Sequence, residues 1–176
     1  MTPAHGEMMI RAEHPADIAA IYQVNAIAFG REHEAKLVAR LRGLPHTLSL
    51  VAVVGDAIVG HIFFSPVTFE NVNPESPMVL GLGPVAVQPE HQRQGIGTQL
   101  VLQGVEQCRQ MGSRAIVVLG DPQFYARFGF IPAEERALRC EYTVPNGAFR
   151  VLELEPGALQ NCRGLVRYRP EFADCE

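Results

Sequence analysis

No apolar run in the chain approaches the roughly 20 residues that cross a bilayer as a helix, so a membrane span is not expected. Nor is there an excess of positive charge. Fifteen Lys and Arg against 19 Asp and Glu give a formal net charge of −4, without the basic footprint of a generic nucleic-acid binder. Cysteine is sparse: Cys108, Cys140, Cys162 and Cys175 include no CxxC pair, and no histidine stands at finger spacing from any of them. A structural zinc site is therefore not expected. Reduced thiols and a cytoplasmic location fit a chain with no other mark of a secreted scaffold. The opening residues MTPAHGEMMIRAEH place acidic and histidine residues where a signal peptide keeps its apolar core, so secretion is not expected. Repeats, low-complexity runs and long linkers are absent, so residues 1–176 read as a single domain, with about 1–8 a loose tail.

What is present is an ordinary globular composition, 47% hydrophobic and 19% charged. A short strand is expected at Met9–Arg11. His14-Pro15-Ala16-Asp17 opens a helix that places Ile18, Ile21, Asn25 and Ala28 on one face. A second helix is expected from about Glu32 to Arg42, stopped by Gly43. Ser49–Val54 and Ile58–Thr68 read as an antiparallel hairpin around Gly55-Asp56. After a loop at Asn71–Pro77 comes a third apolar run, Met78–Val87. The strongest helix spans Thr98–Met111, with Leu100, Val101, Val105, Cys108 and Met111 inward. Ala115–Leu119 is a short buried strand, and Asp121-Pro122 opens a two-turn helix closed by Gly129. Arg136–Val144 and Phe149–Leu154 read as a second hairpin around Pro145-Asn146-Gly147. The fold class is mixed α/β: one sheet with helices packed on it.

Two glycine patterns compete as ligand sites. Gly81-Leu82-Gly83-Pro84-Val85-Ala86 fits the dinucleotide fingerprint formally. That fingerprint needs a helix immediately after it to hold a pyrophosphate, whereas Val85-Ala86-Val87 is β-like and Pro84 has no N–H to offer. A strand irregularity is the better reading. Gln92-Arg93-Gln94-Gly95-Ile96-Gly97-Thr98 stands between a strand and a long amphipathic helix. There two glycines let backbone N–H groups wrap a phosphate at the positive end of the helix.

The string from Val85 to Gly97 closely resembles motif A of the GCN5-related N-acetyltransferase (GNAT) family, with Gln92, Gly95 and Gly97 at its defining positions. Val118-Leu119-Gly120-Asp121-Pro122-Gln123-Phe124-Tyr125-Ala126-Arg127-Phe128-Gly129-Phe130 resembles motif B, in which Tyr125, Gly129 and Phe130 match a Y-x-x-x-G-F element. "LGPVAV", "GDPQFYARFGF" and "VLELEPGAL" together look closest to a bacterial subgroup of predicted acetyltransferases, and the likeness covers nearly the whole chain. It implies a mostly antiparallel central sheet flanked by helices and splayed between the fourth and fifth strands, Leu82–Val87 and Ala115–Leu119. The co-substrate implied is acetyl-CoA, with a longer acyl-CoA open and no metal. Its pantetheine arm would lie along Val85, Ala86 and Val87. Gln92, Arg93, Gln94, Gly95, Ile96, Gly97 and Thr98 would hold the pyrophosphate, with Asp121 and Phe124 also at the cofactor. Tyr125 matches the family's acid for the leaving thiolate, and a Val87 N–H would meet the carbonyl oxygen. The implied reaction is direct transfer to an amine of a small molecule, peptide or protein. The alternative is a non-catalytic acyl-CoA sensor on the same fold.

No carboxylate lies between Gly81 and Val87, a departure from the many members that place a general-base Glu on the strand carrying the acetyl group or on its neighbour. Glu70, Glu34, His33 and His61 are candidate bases by residue type alone. In the family the first two helices, the Asn71–Pro77 loop and the final strands frame the acceptor, and the Glu32/Glu34 pair there is compatible with a cationic amine. The implied partners are acetyl-CoA and an unidentified amine, with no nucleic acid or membrane, in a monomer or homodimer.

Overall fold

The computed structural model describes residues 7–71 and 76–175. Among the described residues ten strands and four α-helices follow one another: β1 (Met8–Ala12), α1 (Ile18–Phe29), α2 (His33–Leu41), β2 (Leu48–Val54), β3 (Ala57–Pro66), β4 (Thr68–Phe69), β5 (Val79–Val87), α3 (Ile96–Gln110), β6 (Ala115–Leu119), α4 (Pro122–Ala126), β7 (Ile131–Pro132), β8 (Leu138–Cys140), β9 (Phe149–Glu153) and β10 (Gly164–Arg167). A seven-stranded sheet runs β1-β2-β3-β5-β6-β9-β7, antiparallel except for the β5–β6 pair. A smaller sheet of β4, β10 and β8 stands beside it. This is the expected mixed, mostly antiparallel architecture. β4 shifts the numbering, so the expected fourth and fifth strands are β5 and β6.

Alternation along the strands sorts side chains into two layers. On one face Leu50, Ala52, Ile62, Phe64, Leu80, Leu82, Ile116 and Val118 form a core with Leu100, Val101 and Cys108 of α3. α3 lies close to β3 because Gly104 has no side chain: a Cβ there would sit 2.6 Å from Phe64 Cε2 and Cζ. On the other face Val51, Val53 and Phe63 meet Ile21 of α1 and Leu37, Val38 and Leu41 of α2. Towards the β6 end, Val79, Ala115 and Val117 pack under the small sheet. Two residues expected inward are exposed, Ile18 at the first position of α1 and Met111 at the C-cap of α3.

The β2–β3 hairpin forms as expected, with Leu48 opposite Phe64 and Val54 opposite Ala57. The second expected hairpin does not. A turn closes at Pro145–Ala148 (Ala148 N to Pro145 O, 3.1 Å), but β8 runs parallel to β10 and β9 runs antiparallel to β6. The reason lies in β6: its far edge needs a partner, and Val151 opposite Val117 buries both within the core, which a solvent-facing hairpin would not do. β1 begins at Met8, inside the expected tail.

Candidate active site

The site is opened by a change of pairing along β5. Val79–Leu82 pair with Ala115–Val118 of β6, and beyond Leu82 that pairing ceases. On its other edge β5 stays bonded to β3, but the register shifts: Ile62 faces Val85 while Phe64 faces Leu82. One extra residue is thus accommodated at Gly83-Pro84, where the peptide is cis. This is the strand irregularity expected of the first glycine pattern, and the strand runs on to Val87, with no helix where a dinucleotide would need one. Gln88 N donates to Val59 O at 2.9 Å. Antiparallel alternation then makes Ala86 exchange bonds with His61 and turns the N–H and C=O of Val85 and Val87 towards the gap. Ala86 itself is buried.

Val87 leads into the phosphate-type loop. Gln92 Nε2 donates back to Val87 O (3.0 Å) and Gln94 Nε2 to Glu90 O (3.3 Å). Arg93 and Gly95 take positive φ of 62° and 83°, and Gly95 stands at the N-cap of α3. The first backbone bond of the helix is Gln99 N to Gly95 O (3.0 Å), and no side chain caps it. The N–H groups of Ile96, Gly97 and Thr98 therefore remain to meet a ligand. They line a hollow of about 370 Å³ together with His91, Arg93, Phe124 and Arg127. Arg127 is one of the lining residues that the sequence motifs did not single out. Its signal was its place two positions after Tyr125, at the C-cap of α4, and its guanidinium lies 5.9 Å from the Phe124 ring centre.

A second hollow, about 440 Å³, adjoins the gap and is walled by Leu82, Gly83, Pro84, Val85, Leu119 and Tyr125. Tyr125 is buried, and burial pushes its phenol up to about 12, so it carries its proton at neutral pH. Its position is tightly held. The ring makes edge contacts with Phe124 (4.9 Å) and Phe130 (5.7 Å), and a Cβ on Gly120 would overlap it. Asp121 Oδ1 accepts from Gln123 N (2.9 Å) to cap α4, so the Asp121 carboxylate serves the helix that carries Tyr125 and lines neither hollow. The buried Arg150 donates to Phe130 O (2.9 Å), pinning the segment after α4 to β9.

The other end of this hollow brings together residues from four distant stretches: Phe29, Glu34 and Leu37 from α1 and α2, and Tyr142, Tyr168 and Phe172 from the last third of the chain. Tyr168 crosses β5 at Gly81, where a Cβ would approach Tyr168 Cε1 to 2.7 Å. Of the candidate bases, Glu34 alone lines the hollow. It is buried and receives the guanidinium of Arg31, with Nε at 3.0 and 3.1 Å from its two oxygens. Glu32 is exposed and pairs with Lys36 (3.7 Å). Glu70 serves the small sheet, accepting from Leu165 N (3.3 Å) and Arg139 (3.2 Å). His33 is exposed on α2. His61 is wholly buried under α1: Asn25 Nδ2 donates to Nδ1 (3.0 Å) and the opposite nitrogen meets Ser49 Oγ (2.8 Å). Burial lowers its pKa to about 3, so it is neutral. Of the Asn71–Pro77 loop, Val72–Glu75 lie outside the described residues; Ser76 and Pro77 border a different hollow, with Arg114 and Gly157. Among the described residues no group of three or more His, Cys, Asp and Glu is placed to hold a metal, and no helix is long and apolar enough to cross a membrane.

Comparison with known proteins agrees with this geometry. Residues 18–130 match the model of the acetyltransferase (GNAT) family. The uncharacterized N-acetyltransferase YhbS of Escherichia coli strain K12 is 38% identical over 167 residues, 94% of this chain and 98% of its own length. The solved structure of YhbS from E. coli in complex with CoA superposes with a TM-score of 0.87 at 36% identity, over 98% of this chain and 95% of that one. A GNAT family acetyltransferase from Brucella melitensis in complex with acetyl-CoA gives a TM-score of 0.75 at 35% identity, over 96% and 99%.

Proposed function

Because the chain belongs to the GNAT acetyltransferase family, we propose that it is a cytoplasmic enzyme that moves the acetyl group of acetyl-CoA directly to an amine. One observation carries this reading: the unpaired inner edge of β5 runs straight into the uncapped N-terminus of α3. The edge offers Val85 and Val87 as a strand partner for an amide-bearing pantetheine arm. The helix end offers N–H groups and a partial positive charge for the pyrophosphate. Arg93 and Arg127 add cations at the rim. The residues present therefore fit acetyl-CoA along its length.

In the reaction a neutral amine nitrogen bonds to the acetyl carbon and the carbon–sulfur bond breaks. The N–H of Val87 meets the charge gathering on the carbonyl oxygen. Tyr125, held in its protonated form, gives its proton to the departing sulfur. The amine's own proton leaves to water, and water returns a proton to Tyr125. Leu82, Pro84 and Leu119 line the gap with apolar surface. The whole of residues 1–176 forms one acyltransferase domain in this reading.

The experiment is a pair of measurements. Acetyl-CoA at millimolar concentration raises the melting temperature by mass action while NADH does not, and thiol release from acetyl-CoA depends on an added amine. A missing acetyl-CoA shift overturns the proposal. A shift with no turnover across an amine panel makes the site an acyl-CoA sensor instead.

A further inference from the structure

The acceptor end of the 440 Å³ hollow has a composition that selects among amines. Among the described residues its only charged ones are Arg31 and Glu34, and these pair with each other. A polycation would find one carboxylate for several charges. The remaining wall is aromatic and aliphatic. Tyr168 stacks on Tyr142 at 6.3 Å and touches Phe172 at 5.2 Å, a continuous three-ring surface, with Leu37 and Phe29 close by. The volume lies within the range of small-molecule pockets.

Glu34 is the point of polarity in this wall. Arg31 takes part of its capacity, but a carboxylate has about four lone-pair sites, and two oxygens engaged by one guanidinium leave room for an N–H donor. An ammonium or amine arriving here also faces ring systems whose negative faces favour a cation. The same hollow reaches Pro84, Val85 and Tyr125, so one small molecule touches Glu34 and the reacting end together. Resting on the acetyl-transfer reading above, we propose that the acceptor is a primary amine borne on an aromatic or bulky apolar body. Its nitrogen donates to Glu34 and its body lies against Tyr142, Tyr168 and Phe172.

The test uses the full chain with acetyl-CoA and four amines: 2-phenylethylamine, tryptamine, spermidine and glucosamine. The expected result is a kcat/KM for the two aromatic amines about tenfold or more above that for spermidine and glucosamine, the size of one well-filled apolar site. Glu34→Gln raises KM for tryptamine by about 10- to 100-fold, the loss of a charge-assisted hydrogen bond, with kcat within threefold and the acetyl-CoA melting shift unchanged. Phe29 is 40% exposed, so Phe29→Ser leaves the fold intact and raises KM for tryptamine about threefold or more. Spermidine or glucosamine equalling the aromatic amines overturns the proposal. So does a Glu34→Gln variant whose KM stays within twofold, or one that loses kcat alone. If none of the four amines turns over, the proposal is overturned, while a retained acetyl-CoA shift leaves the donor site standing. Loss of the acetyl-CoA shift itself overturns both readings.

Discussion

The two ends of the cleft are built on opposite plans. The proposed donor end is mostly main chain: the free edge of Val85 and Val87 and the N–H groups of Ile96, Gly97 and Thr98, all within fourteen consecutive positions, 85–98. The acceptor end is side chain throughout, gathered from Phe29, Glu34 and Leu37 at one end of the chain and Tyr142, Tyr168 and Phe172 at the other. Main-chain groups have the same chemistry whatever residue carries them, so the donor end tolerates change wherever backbone geometry survives. The acceptor end takes its chemistry from residue identity, so each substitution there alters what is recognised. Tyr125 stands at the junction, in the wall of the hollow that also holds Val85 and Glu34.

That contrast is open to attack at several points. The largest effect is expected at the loop glycines. Gly95→Val forces a β-branched residue into φ of 83°, and Gly97→Val fills hollow rather than protein, since only Val87 Cγ2, at 3.9 Å, lies near a Cβ there. Both variants lose the acetyl-CoA melting shift while remaining folded; retained binding in both would place the donor end elsewhere. Next in size is Tyr125→Phe. Removing the acid while keeping the ring lowers turnover about 10²–10⁴-fold with acetyl-CoA binding nearly unchanged. A rate within threefold of wild type would return Tyr125 to the core as an ordinary buried aromatic.

A third effect belongs to the platform beneath both ends. His61 is neutral in the fold, with its pKa lowered to about 3 by burial, and titrates near 6.5 when unfolded. A lowered basic pKa means that the unfolded chain takes up the proton first. Stability is therefore complete above pH 6.5 and declines as pH falls from 6.5 towards 3, by about 2 kcal/mol at pH 5. Urea midpoints measured from pH 7.5 to 5 check this, and His61→Gln flattens the slope; an unchanged slope would assign the acid sensitivity to other groups. The smallest effect is at the rim. Arg127→Ala weakens acetyl-CoA about fivefold, one exposed cation's share of phosphate binding, and the loss shrinks at high salt. A loss that salt leaves untouched would mean that Arg127 acts through its packing on Phe124 instead.

How much could be read in advance followed the same division. The β2–β3 hairpin and α3 announced themselves by local pattern: a Gly-Asp turn between two β-rich runs, and apolar residues at helical spacing. The irregularity at Gly83-Pro84 was legible because glycine and proline punctuate a strand. The pairing of β9 with β6 was not, because the turn at Pro145–Ala148 is genuine and nothing near it says that the strands on either side separate. Glu34 shows the limit clearly. In sequence it is one of two acids at the start of a helix, beside Glu32. In the fold Glu32 is at the surface and Glu34 is buried in the wall of the hollow, a difference made by the side of α2 that Leu37 and Leu41 turn inward.

The sequence by itself determined the segments whose conformation is set by neighbours in the chain: the helices by their period, the hairpin by its turn, the phosphate loop by glycines that permit its backbone, and with these the family likeness. Tertiary structure alone decided which edges of β5 and β6 stay paired, which of two acids enters the cleft, and that Tyr168 crosses β5 over Gly81. These outcomes depend on contacts between residues tens to more than a hundred positions apart. Such contacts form according to how much surface each alternative buries, and no local pattern of residues records that competition.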